Sequence, residues 1–380
     1  MQELCWLLQE ALFEKRHDFK ITDSERLYQI AKENGLSGTV FEVVKNHKVS
    51  DSLYTKFQKD FYKYVAQDEE QLRSIDLIKG LLKANNIKHV FLKGSILKDI
   101  YPQSYMRSMG DIDLLVKEKD LNQVHELFER MGIRIKSRNV VHDVFETSAG
   151  LSIEVHSRLI RDKENYPSLD NIEAIVKESK FNHELEVVYL LYHLKKHLIT
   201  SGIGLRSVID LGLYLLRYEN DLDLTVLNNS LNQCNLSTLF LNIVRFNEIY
   251  LDLSFESITK NQTELDPDLL EAFTDYIILS GIHGLGISFN RFTGIVASPE
   301  KKYFRRLTFL FKIIFIPYVN MQYMYPKLLK SRLFLPIAWV ARVFDLVFKH
   351  RKRRMYRLKE LHKSTLKIQE VNDIFKKLGV

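Results

Sequence analysis

Three carboxylates and a Gly-Ser pair offer most of the chemistry in this sequence. Asp111 and Asp113 stand at i and i+2 at the head of an apolar run over 112–116. On a strand that spacing turns both side chains to one face. Two like charges on one face repel, and a hard dication relieves the repulsion; Mg²⁺ is commonly held by one or two carboxylates plus substrate phosphates. Glu154 lies on the alternating run 151–156, which can pair beside the Asp111 strand and bring a third acid to the cluster. Gly94-Ser95 follows the β-like run 89–92 and opens a helical stretch over 96–100. Backbone N–H groups and a hydroxyl at such a turn can hold phosphate oxygens. Each feature alone has an ordinary structural explanation: a turn and N-cap, a solvated strand end, the water-facing residue of an alternating strand. In order on strand–turn–helix, strand and strand, they read together as a metal and phosphate site.

Other residues could serve that site. Lys93 and Arg107 flank the motif and could neutralise phosphate charge, or could be solvated surface cations. His156, two residues from Glu154, shares its face and could bind a substrate group or orient the acid. His193 and His197 have the i, i+4 spacing that can bind a metal, but no HExxH pattern accompanies them, which favours a structural role. Arg206 and Asp210 have the spacing of a helix-surface ion pair.

The elements that must position these groups follow from pattern. With 15 glycines and 7 prolines in 380 residues, and 46% hydrophobic against 27% charged residues, the chain reads as globular and helix-rich. Residues 1–86 are expected to be an N-terminal helical segment, because apolar positions recur at spacings of three and four. Residues 87–182 read as a small α/β core. It has strands near 89–92, 112–116, 133–137, 141–147 and 151–156, a helix from Asp120 to Met131, and a hairpin turn at Ser148-Ala-Gly150. Residues 183–300 read as a helical substrate or support domain with helices over 184–199, 205–217, 222–233 and 236–250. Residues 301–380 read as a basic, aromatic-rich helical tail. The net charge of +7 hides a partition: 1–300 holds 35 Lys+Arg and 44 Asp+Glu, and 301–380 holds 20 and 4, so a −9 body carries a +16 tail. Such asymmetry suggests a polyanionic partner for the tail.

The motif residues resemble a known family. Phe91-Leu-Lys-Gly-Ser95, Arg107, Gly110-Asp-Ile-Asp-Leu-Leu-Val116 and Ile153-Glu-Val-His156 are similar to the nucleotidyltransferase fold of the DNA polymerase β superfamily. They look most like its uncharacterised bacterial branch, often found among surface-polysaccharide genes. Leu194-Lys-Lys-His197, Gly204-Leu-Arg206 and Asp210-Leu resemble the helical region of that branch. The fifteen residues between Ser95 and Asp111 exceed the usual superfamily spacing.

The resemblance implies an α+β fold: a small mixed-sheet core flanked by N-terminal helices and a large helical C-terminal region. It implies Mg²⁺ or Mn²⁺ on Asp111, Asp113 and Glu154, with Glu154 as third ligand or general base. Gly94 and Ser95, with Lys93 and Arg107, would hold the phosphates of a nucleoside triphosphate. His156, His197, Arg206 and Asp210 would line a substrate pocket. The reaction would move an NMP to an acceptor hydroxyl on a sugar, glycan, protein or RNA, with a link to polysaccharide biosynthesis. The alternatives are an Asp-x-Asp glycosyltransferase using a nucleotide-sugar, or a non-catalytic binder on a transferase scaffold. Replacing Asp111 or Asp113 is expected to abolish transfer and leave the fold intact. Cysteines only at 5 and 234, and no basic n-region before the first apolar run, suggest the cytoplasm. The basic, aromatic stretch 301–358 suits peripheral contact with an anionic membrane at its inner face, since no apolar run reaches the roughly 20 residues needed to span a bilayer.

Overall fold

This computed structural model describes residues 2–139, 141–160, 165–200, 202–260 and 266–281, and beyond them only 314, 315, 318, 321, 325, 331–344 and 373–379. Most of the basic stretch 301–358 therefore lies outside the described residues.

Four helices precede the sheet: α1 (Gln2–Phe13), α2 (Ser24–Glu33), α3 (Phe41–Val44) and the 34-residue α4 (Asp51–Ala84). Ser50 caps α4 through the Leu53 N–H, and Asn86 ends the turn after it at φ 57°. The chain then enters β1 (His89–Leu92). A short α5 (Gly94–Leu97) continues as the 3₁₀ turn Lys98–Ile100. β2 (Asp111–Val116), α6 (Leu121–Arg130), β3 (Arg134–Arg138), β4 (His142–Glu146) and β5 (Ser152–His156) complete the α/β part. Asp120 precedes α6 as expected but makes no side-chain cap, because it closes a 3₁₀ turn of its own.

The sheet order is β1-β2-β5-β4-β3. β2 and β5 run parallel and the other neighbours antiparallel, so the sheet is mixed, as expected. The hairpin between β4 and β5 turns at Gly150, whose φ of 82° suits a residue with no Cβ.

The two faces of the sheet differ. Ile112, Leu114, Val116, Phe145, Ile153 and Val155 point to one face and pack with Ile78 and Leu82 of α4 and Val124, Leu127 and Phe128 of α6. The opposite face carries Val90, Leu92 and Leu115 into a second, larger core with the helical part. That part comprises α7 (Ile172–Glu178), α8 (His183–Thr200), α9 (Leu205–Tyr218), α10 (Leu224–Gln233), α11 (Ser237–Leu251), α12 (Glu256–Thr259) and α13 (Pro267–Ser280). The larger core is one cluster that draws in residues from Leu4 near the start of the chain to Leu378 near its end. The period-two alternation of β2 and β5 therefore sends every acid of the motif toward the helical layer.

Candidate functional site

Register builds the site. In the parallel β2–β5 pair, Asp113 lies opposite Glu154, and in the antiparallel β4–β5 pair His142 lies opposite His156. One face of three adjacent strands thus carries Asp111, Asp113, Glu154, His156 and His142. Leu92 pairs with Asp113, so the residue after β1, Lys93, stands over the same acids. Its backbone lies at φ 50°, ψ −120°, a sparsely populated region for a side chain with a Cβ. From there its ammonium donates to Asp113 Oδ1 at 2.6 Å. His156 Nε2 is 3.0 Å from the same oxygen and 3.4 Å from Glu154 Oε2, and His142 Nε2 is 3.6 Å from Glu154 Oε1.

The electrostatics of the two aspartates diverge. Burial, and then the neighbouring Glu154 and Asp113, push the Asp111 carboxyl up to about 6. Burial pulls Asp113 the same way, but Lys93 and His156 outweigh it and hold that carboxyl far below the usual range. Burial disfavours the Lys93 charge too, yet Asp113 keeps its ammonium above the ordinary value. Asp113 is therefore neutralised by the protein, while Asp111 and Glu154 leave negative charge with no Lys or Arg paired to it among the described residues. Hard oxygen donors carrying that surplus fit a divalent cation.

The helical layer closes over this face. Tyr189 is fully buried on α8, His193 follows one turn later and is half-buried, and His197 comes one turn after that. Burial and the Lys93 charge depress His193, and burial, Lys196 and Lys93 bring His197 down to about 4. Neutral imidazoles therefore face the carboxylates from above.

The segment between Ser95 and Asp111 is clamped by both helical parts. Arg107, only 7% exposed, donates to Asp210 from Nε (3.2 Å) and Nη2 (2.9 Å), and Tyr101 donates to the same carboxylate at 2.8 Å. Arg206 donates to the Ser108 carbonyl at 2.7 Å, Gln71 to the Met109 carbonyl at 2.8 Å and Thr39 to the Met106 carbonyl at 2.6 Å. Lys98 pairs with Asp68, which also accepts from Ser104. Arg107 Nη1 and Met109 lie against Gly94 so closely that a Cβ there would meet Met109 Sδ at 2.7 Å. The extra length between the motifs is thus a fixed strap, and Gly94 has a packing reason to be glycine besides any contact with phosphate.

Lys93, Asp111, Asp113, Glu154 and His156 come together as the sequence suggests, with the Gly94-Ser95 turn beside them. Arg107 is neither a solvated cation nor in hydrogen-bond contact with the acids; it lies behind Gly94. Arg206 and Asp210 do not form a surface pair: Asp210 is buried, Arg206 is half-buried, and each holds the strap. Sequence reasoning missed His142 and Tyr189. The signal for His142 was available: a hairpin turning about residue 149 sets 142 opposite 156. Tyr189 lies one turn before His193 on the helix face already noted.

A sequence model described as "uncharacterised nucleotidyltransferase" matches residues 21–252, more than half of the chain and all of the site. The chain belongs to this nucleotidyltransferase family. Membership carries with it nucleotidyl transfer in general, a nucleoside triphosphate as substrate and dependence on a divalent metal. No curated protein and no solved structure matches the nucleotidyltransferase chain.

Proposed function

We propose that this protein moves an NMP from a nucleoside triphosphate to an acceptor hydroxyl, using the face built by β2 and β5. The observation that carries this reading is the register that puts Asp113 opposite Glu154 with Asp111 on the same face, a three-acid cluster with one internal cation. Asp111 and Asp113 would hold Mg²⁺ or Mn²⁺, with Glu154 as third ligand or as general base. A cation bound there supplies Lewis-acid polarisation of the phosphoryl oxygens. Lys93 occupies Asp113 and keeps it ionised; once that charge is otherwise compensated, the ammonium is free to turn to a phosphate beside the Gly94-Ser95 turn. Arg107, held by Asp210, fixes the far side of that turn. His156 orients Asp113 and Glu154. Tyr189, His193 and His197 exclude water from above and present neutral donors and acceptors to the acceptor molecule.

In the transfer, the acceptor oxygen bonds to the α-phosphorus as the bond to the bridging oxygen of pyrophosphate breaks, and the hydroxyl proton passes to a base. A glycosyltransferase reading finds less support, because the Gly-Ser turn and third acid have no role in it. Polysaccharide precursors remain the acceptor class we favour, on the sequence resemblance alone. The cytoplasm, with contact at the inner membrane face, is the proposed location. Incubating the protein with α-phosphate-labelled NTPs, Mg²⁺ and a cell extract tests the assignment. Label should enter one acceptor fraction with wild type and none with Asp111→Ala; equal labelling by both would sink the proposal.

A further inference from the structure

The two histidines beside Glu154 do not belong to a magnesium site. Mg²⁺ takes oxygen ligands, whereas imidazole suits zinc and its transition-metal neighbours. The β4–β5 register sets His142 beside His156 with ring centroids 4.8 Å apart and the planes inclined at 51°, and Glu154 follows on the same face. His142 Nε2 lies 3.6 Å from Glu154 Oε1, and His156 Nε2 lies 3.4 Å from Glu154 Oε2 and 3.0 Å from Asp113 Oδ1. One ligand atom from each of the three lies within 4.8 Å of the others. The two histidine–Glu154 separations, 3.6 Å and 3.4 Å, are long for hydrogen bonds. They are close to the edge of a tetrahedron with metal–ligand bonds of about 2.0–2.1 Å, which is about 3.4 Å.

Nδ1 of each ring is buried without a hydrogen-bond partner among the described residues, so neither ring is held in place through that atom. Burial suits a site with one open position: the His156 side chain is 4% exposed, while those of His142 and Glu154 are 18% and 21% exposed.

We propose that His142, Glu154 and His156 form a transition-metal site, of the Zn²⁺ or Co²⁺ class, beside the hard-cation position at Asp111 and Asp113, with His156 giving up its contact to Asp113 when the metal binds. The site needs only these three side chains and forms without nucleotide, so it stands independently of the transferase reading. It makes Glu154 a ligand and removes it as a free general base. The donor set, two imidazoles and one carboxylate, leaves the fourth position to water or an acceptor group.

Cobalt tests this directly. Metal-stripped wild-type protein, without NTP, should bind about one Co²⁺ per chain with the intense visible bands of a low-symmetry nitrogen–oxygen site. Millimolar Mg²⁺ should leave those bands in place. His142→Gln should weaken Co²⁺ binding at least about tenfold, and Asp111→Asn should leave it nearly unchanged. Thermal unfolding checks that His142→Gln is folded; if it is not, Glu154→Gln serves in its place and should lose the bands equally. Absence of the bands in wild type, their loss to Mg²⁺, or full retention in the folded variant would overturn the proposal. The pyrophosphate assay is separate, so a failure here does not touch the transferase reading, nor the reverse.

Discussion

At the residue scale, two aspartates two positions apart have opposite effects on the fold. Asp113 neutralises a Lys93 ammonium whose side chain is only 14% exposed, so Asp113→Asn leaves a buried charge without its partner. We expect a loss of about 3–5 kcal/mol in chemical denaturation, partly recovered by adding Lys93→Met. Asp111 instead adds repulsion to its neighbours, so Asp111→Asn should raise the stability of metal-free protein by about 1 kcal/mol while abolishing activity. This revises the expectation that either acid can be removed without harm to the fold: the motif identifies the acids, but only the structure reveals which one the protein itself has paired. Glu186 is a second case. Burial pushes its carboxyl up to about 8, and its Oε1 finds no hydrogen-bond partner among the described residues. The native state therefore holds a proton that the unfolded chain releases near pH 4.5. Stability from this group is full below that value and is lost as pH rises toward 8. Glu186→Gln should match wild type at pH 4 and exceed it by about 2 kcal/mol at pH 8; parallel stability–pH curves would refute this.

At the scale of elements, the helices and strands were readable because their apolar periods are clean. α8, α9 and α11 begin and end within two residues of the positions expected from pattern. The strap between Ser95 and Asp111 was not readable. Its order comes from Gln71, Thr39, Asp210 and Arg206, all distant in sequence, and spacing carries no record of such bonds. His142 was missed for a different reason: β4 was recognised as a strand, but its pairing register was not worked out. Gly94 links the strap to the motif. Gly94→Ala would push Arg107 and Met109 outward, and Arg107 cannot yield easily while Asp210 holds it. We expect a cost of about 1–3 kcal/mol and a raised KM for the NTP. An unchanged melting temperature and KM would show that the turn is looser than the packing implies.

At the scale of the whole molecule, the charge divides along the sequence into a −9 part and a +16 part. The acids proposed for catalysis belong to the −9 part, and the +16 tail lies mostly beyond the described residues. What is described there is suggestive: along helix Leu335–Phe344, Ala338 packs on Met321 while Ile337, Val340 and Phe344 are 53%, 57% and 60% exposed, and Leu333 just before it is 86% exposed. No helix among the described residues is long and apolar enough to cross a membrane. An outward apolar row within a basic segment suits the surface of an anionic bilayer. The full chain should co-sediment with anionic but not zwitterionic vesicles, and Ile337→Asp with Val340→Asp should weaken that at least about tenfold; no binding to anionic vesicles would rule it out. The central claim concerns the acids instead. Its most direct test is Mg²⁺-dependent pyrophosphate release from NTPs in the presence of the acceptor extract, by wild type and by the Asp111→Ala/Asp113→Ala double variant. The expected result is release by wild type that stops when Mg²⁺ and Mn²⁺ are withdrawn, and a drop of at least about 10²-fold in the variant. Undiminished release by a folded double variant would contradict the assignment of these carboxylates to metal and triphosphate chemistry.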